Sequence, residues 1–104
     1  MSLDFCLTET KEVSIFDANI THNLTPMWKK AGVYYALYMS EGLIAKGIIE
    51  VLEKGIYDME DKPEEYIKLN AINGWGTYRH ALPFLKEILK ACKENPDAKI
   101  QISK

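Results

Sequence analysis

The sequence predicts an α+β fold: a small three-stranded sheet in the order β-β-α-α-α-β, covered on one face by three helices. Three observations carry that prediction. Apolar residues alternate near both ends of the chain, at Leu3, Phe5 and Leu7 and again at Ala98, Ile100 and Ile102, which is strand periodicity. Between them, apolar residues recur at helical spacing through three long stretches. Proline and glycine punctuate the boundaries, at Thr25-Pro26, Ser40-Glu41-Gly42, Lys62-Pro63 and Asn95-Pro96. With 104 residues, the chain makes one domain, 1–104, with a single modest core.

The elements follow in order. Leu3, Phe5 and Leu7 alternate with polar residues in a first strand, and Glu9-Thr10-Lys11 is short enough for a hairpin. Val13 to Ala18 is a second strand, with Val13 and Ile15 on one face and Ser14 and Phe16 on the other. Residues 17–24 then leave the strand as an unusually polar connector. Thr25 is placed as an N-cap with Pro26 at the first helical position, where its missing N–H costs nothing. The first helix runs to about Met39, with Leu24, Trp28, Ala31, Tyr35 and Tyr38 as its stripe. That stripe reads as core packing or, alternatively, as a stacking surface for a base. Gly42 fits the left-handed position after a helix end. The second helix spans about Leu43 to Asp58 and buries Ile44, Ile48, Val51, Leu52 and Ile56. Its Gly47 and Gly55 suggest close packing against the first helix. Pro63 opens a short helix to about Leu69. Thr77 caps the last helix, about Tyr78 to Asn95, whose stripe is Leu82, Leu85, Ile88, Leu89 and Cys92. Pro83 removes a backbone donor inside that helix and is expected to kink it.

This connectivity brings the N-termini of the first and last long helices to the same end of the sheet, because short turns make successive helices antiparallel. An all-antiparallel sheet then requires the strand order 2-1-3. The alternative pairs strands 2 and 3 through a right-handed crossover.

Composition excludes several functions. Net charge is −2, and 12 of the 13 cations are lysine. A weakly acidic chain with one arginine lacks the basic face that nucleic acid needs, so no nucleic-acid partner is expected. No apolar run approaches the ~20 residues of a membrane span. There is no basic flank with an apolar run at the start, so a cytoplasmic location with reduced thiols is expected for Cys6 and Cys92. No cofactor motif is present, and His22, His80 and Asp17 lack metal-ligand spacing. Cys92 lies on an apolar helix stripe, and Cys6 sits on a strand without a base beside it. Asp58, Glu60, Asp61, Glu64 and Glu65 form an acidic block, either a solvated helix end or a patch for a basic partner.

Two segments concentrate recognition residues: Asn19-Ile20-Thr21-His22-Asn23-Leu24, and Asn70 to His80, which holds Asn73, Gly74, Trp75, Gly76, Tyr78, the only arginine (Arg79) and His80. Two helix N-termini favour an anion. Asn19, His22, Asn23 and Asn73 add donors and acceptors, Trp75 and Tyr78 offer flat apolar surface, and Arg79 adds a fork suited to phosphate or carboxylate. The inventory describes a site for a small polar or anionic ligand, or a protein-contact surface. Equally open is a purely local role, with these side chains bonding loop backbone and Trp75 plugging the core. The functional reading is a non-enzymatic binding or interaction module. Its alternative is a small hydrolase of a phosphorylated substrate using His22 and His80 as acid and base.

Those same motifs resemble a family of small uncharacterised proteins of bacteria and their phages. The shared features are the Asn-Ile-Thr-His-Asn-Leu turn, an Ala-Gly-x-Tyr core at Ala31-Gly32-Val33-Tyr34, the Asn-Gly-Trp-Gly-x-Tyr loop at 73–78, and Ala91-Cys92-Lys93 before a closing strand. The likeness covers residues 17–103 and departs at 38–47, where this chain is shortened. It implies the same fold and a phage association, and it brings no activity.

Overall fold

The computed structural model describes residues 2–10, 13–71, 74 and 76–104. Three strands, β1 (Ser2–Thr10), β2 (Val13–Thr21) and β3 (Lys99–Ser103), form an antiparallel sheet in the order β2-β1-β3. This is the all-antiparallel solution; β2 and β3 do not pair directly.

β1 is central because its alternation is the cleanest. Leu3, Phe5 and Leu7 are fully buried, and they stand opposite Ile20, Ala18 and Phe16 of β2. On the other side Phe5 faces Ile102 and Leu7 faces Ile100. One sheet face is therefore apolar across all three strands, and the helices cover it. The opposite face is polar, with Asp4 facing Asn19 and Cys6 facing Asp17. β2 is longer than expected and runs on through Thr21. Register shifts near Thr8 leave Ile15 without a partner, so Val13 and Ile15 are exposed while Phe16, Ala18 and Ile20 pack inward.

The expected first helix is two helices. α1 (Thr25–Ala31) ends at Gly32, whose φ of 77° is left-handed and whose N–H closes onto the carbonyls of Lys29 and Trp28. The chain restarts as α2 (Tyr34–Tyr38). The break changes the buried face. Trp28, Val33, Ala36, Leu37 and Tyr38 go inside, and Tyr35 is 67% exposed. The burial of Trp28 and Tyr38 rules out the base-stacking stripe.

Residues 39–44 do not make a simple helix–helix turn. They run along the outer edge of β3, with Gly42 N–H on the Ile100 carbonyl, Ile100 N–H on Leu43 and Ala45 N–H on Ala98. The second helix consequently starts later than its periodicity suggests. A 3-10 turn (Ala45–Ile48) leads into α3 (Ile49–Asp61), which buries Leu52, Gly55, Ile56 and Met59 but leaves Val51 exposed. Gly47 lies in that turn with open space around it. α4 (Pro63–Ile67) begins at its proline, as expected. α5 (Tyr78–Glu94) spans the sheet face and continues through Pro83 without ending. Among the described residues no helix is long and apolar enough to cross a membrane.

Candidate functional site

The two motif segments meet. Gly76 adopts φ 116°, and a Cβ there would lie 3.0 Å from Asn23 Cβ and 3.3 Å from Thr21 Cγ2. Both the backbone angle and the space require glycine. This contact packs the glycine loop onto the end of β2, directly before α5.

The apposition opens a cleft of about 420 Å³ between β2 and α5. Asn19, Ile20 and Thr21 form the strand wall. Arg79, His80, Pro83, Phe84 and Glu87 form the helix wall, and Gly74 and Gly76 close the end. The helix residues lie one, four, five and eight positions after Arg79, so one face of α5 supplies the wall. Arg79 and His80 are exposed in its first turn. Phe84 stacks obliquely on buried Trp28, with ring centroids 5.9 Å apart, which fixes the apolar floor. The Trp28 Nε1–H has no hydrogen-bond partner among the described residues.

The residues singled out in the sequence divide into three groups. Arg79, His80 and Asn19 line the cleft. Asn19 also donates to Asp4 Oδ1 at 2.6 Å and to Ser2 Oγ at 3.0 Å, so it belongs to the strand rather than to a connector. His80 is held by Thr77 Oγ1 at 2.9 Å.

The second group is engaged elsewhere. His22 Nδ1 meets the Tyr38 hydroxyl at 2.8 Å, in a half-buried cluster where Tyr38 stacks on Tyr34. Asn23 is exposed; its N–H donates to Thr21 Oγ1, and its Cβ rests against Gly76. Tyr78 donates its hydroxyl to the Met59 carbonyl at 2.7 Å and so ties α5 to α3. Burial, followed by the Glu60 carboxylate, raises its pKa. Asn73 and Trp75 form the third group and lie outside the described residues.

The two histidines therefore do not share the cleft: His80 lines it and His22 does not. Thr77 occupies the N-cap position but makes no capping bond. The Tyr78 N–H is accepted instead by Asn70 Oδ1 at 2.8 Å.

Neither cysteine suits nucleophilic chemistry. Cys6 donates to Asp17 Oδ1 at 2.9 Å, and burial together with that carboxylate pushes the thiol up to about 11. Cys92 is buried on α5 and is pushed up to about 11 by burial alone. Among the described residues no three His, Cys, Asp or Glu side chains group to hold a metal ion.

The acidic block is largely engaged. Lys62 pairs with Asp58 at 3.3 Å, Lys86 with Glu60 at 2.8 Å and Lys30 with Glu65 at 3.2 Å. Tyr66, fully buried, donates to Asp58. Asp58, Glu60 and Glu65 thus take part in ties that join α1, α3, α4 and α5.

Sequence reading missed Ile20, Thr21, Pro83, Phe84 and Glu87 as cleft residues. A signal for the helix side was present: stepping by four from Arg79 along one helix face reaches Pro83 and then Glu87. Ile20 and Thr21 lie beyond Ala18, where the composition turns polar although β2 continues to Thr21.

No family model, no curated protein and no solved structure gives a match to this chain.

Proposed function

We propose that the chain is a non-enzymatic binding or interaction module of the bacterial cytoplasm, phage-associated as the motif resemblance implies, and that it works through the β2–α5 cleft. The observation that carries this reading is the placement of Arg79 and His80 beside an apolar floor of Ile20 and Phe84. A guanidinium offers paired donors to a carboxylate or phosphate, and the floor accepts the non-polar part of the same ligand. Arg79 is exposed on the cleft wall. The hydrolase alternative needs both histidines on one substrate, and His22 is bonded to Tyr38 outside the cleft.

The test is a chemical-shift titration of the backbone amides with succinate and with inorganic phosphate at constant ionic strength. Saturable changes centred on Arg79 and His80 are expected, and Arg79→Ala should abolish them with its melting temperature unchanged. Uniform or unsaturable changes would reject the cleft as an anion site. Turnover of p-nitrophenyl phosphate, lost in His22→Ala, would install the hydrolase reading instead.

A further inference from the structure

The two edges of the sheet are treated differently. The β3 edge is closed by the chain's own residues 42–45, which bond to Ala98 and Ile100. The β2 edge carries no such strand among the described residues, because the sheet order ends at β2. An edge strand presents a row of unmatched N–H and C=O groups and is a template for another strand. Here the cleft lies against that edge, between Asn19–Thr21 and one face of α5.

We infer that the occupant of the cleft is an extended peptide of a partner protein, which adds to β2 as a fourth strand and lies against α5. This rests on the β2–α5 cleft being the binding site. Backbone bonds to β2 supply the attachment, and the α5 wall reads alternate side chains of the peptide. The wall has opposite charges at its two ends, Arg79 with His80 at one and Glu87 at the other. Eight helical positions span ~12 Å along the axis. An extended chain covers that distance in about four residues at ~3.3 Å each. Residues four apart in a strand share a face, so the peptide that fits carries one acidic and one basic side chain four positions apart. β2 ends near the α5 N-terminus, so in an antiparallel addition the acidic residue comes first. An apolar side chain midway between them, two positions from each, shares their face and meets Ile20 and Phe84.

A second copy of this chain fits less well. Symmetric antiparallel pairing of two β2 strands about their midpoint sets Asp17 opposite its own copy, and like charges directly opposite oppose pairing. The irregularity at Ile15 also interrupts the far half of the edge.

Two blocked heptapeptides test the inference on the full chain: Thr-Glu-Thr-Val-Thr-Lys-Thr and the same peptide with Glu and Lys exchanged. The first should perturb the amides of Asn19 to Thr21 and give backbone-to-backbone nuclear Overhauser contacts with β2. N-methylation of its alternate amides should remove both effects. The double variant Arg79→Glu with Glu87→Lys, altered only at exposed positions, should reverse the preference between the peptides by about fivefold. Perturbation without backbone contacts, or equal binding of the N-methylated peptide, overturns the strand-addition inference. Concentration-dependent dimers with the same β2 contacts in the absence of peptide would assign the edge to a second copy and overturn it equally. If succinate and phosphate still titrate Arg79 while neither peptide reaches β2, the inference fails and the anion site stands. If nothing titrates the cleft, both fail.

Discussion

At Gly55, α3 touches the chain it crosses. A Cβ there would overlap Val33 Cγ1 and sit 3.1 Å from the Ala31 carbonyl oxygen. Alanine is the better helix former by up to ~1 kcal/mol, but overpacking a buried contact costs typically ~1–3 kcal/mol. Gly55→Ala is therefore expected to lower stability, by about 1 kcal/mol net, as read by the midpoint of urea unfolding. Val33→Ala in the same chain removes the first obstacle, so the double variant should lose less than the two single changes added together. Gly55 was legible as a position of close approach because a glycine inside an apolar helical stripe asks for a reason. Gly47, equally conspicuous in the sequence, has open space around it, so its identity reports the 3-10 turn rather than a contact.

At the scale of elements, α5 carries the most. It buries Ala81, Phe84, Leu85, Ile88, Ala91 and Cys92 on the sheet and turns Arg79, Pro83 and Glu87 towards the cleft. Its start is set from outside the helix, by the Asn70 side chain on the Tyr78 N–H. Asn70→Ala leaves that donor unpaired and should cost about 1 kcal/mol by thermal unfolding, as losses of helix caps do. Thr77→Ala should cost less, because among the described residues its hydroxyl bonds exposed His80 and caps no backbone N–H. Thr77→Ala costing more than Asn70→Ala would show that capping follows sequence position after all. Pro83 lies in the sixth helical position, so its absent N–H frees the Arg79 carbonyl beside the cleft. Pro83→Ala restores that donor and should raise stability by up to ~3 kcal/mol.

Across the whole molecule, the ties that join helices set the dependence on pH. The hydrogen bond from Tyr66, followed by Lys62, lowers the Asp58 pKa. A lowered folded-state pKa contributes stability that is complete above the ordinary carboxylate value of about 4 and is lost as pH falls through the folded value. On the alkaline side, burial and Asp58 raise the Tyr66 pKa, and Cys6 is pushed up to about 11. Raised values contribute stability that is complete below the ordinary values of about 10 and 8.5 and is lost as pH climbs beyond them. Stability should therefore hold a plateau from about pH 5 to about pH 8 and fall on both sides. Tyr66→Phe keeps the buried ring but removes the bond to Asp58. It should cost about 1 kcal/mol at pH 7 and make the acid limb shallower, as measured by urea unfolding across pH. An unchanged acid limb would mean that Asp58 draws nothing from Tyr66.

The sequence by itself determined that there are three strands, that helices cover one face of their sheet, and at which end of the fold the recognition residues gather. Those follow from local periodicity and from the antiparallel logic of short connections, both of which are properties of neighbouring residues. It also placed Arg79 and His80 at the opening of α5, where they line the cleft. Only the tertiary structure decided how those residues are used. Asn19 became part of a strand because pairing with β1 continues into the polar stretch, as far as Thr21 opposite Ser2. His22 went to Tyr38, and Tyr78 to Met59, across separations of 16 and 19 residues that no spacing rule reaches. The break at Gly32 turned Tyr35 outward, and the course of residues 42–45 along β3 closed one sheet edge while β2 kept the other. Which edge stays open is settled by where a long connection lies in space. That depends on packing over the whole domain rather than on any residue in β2.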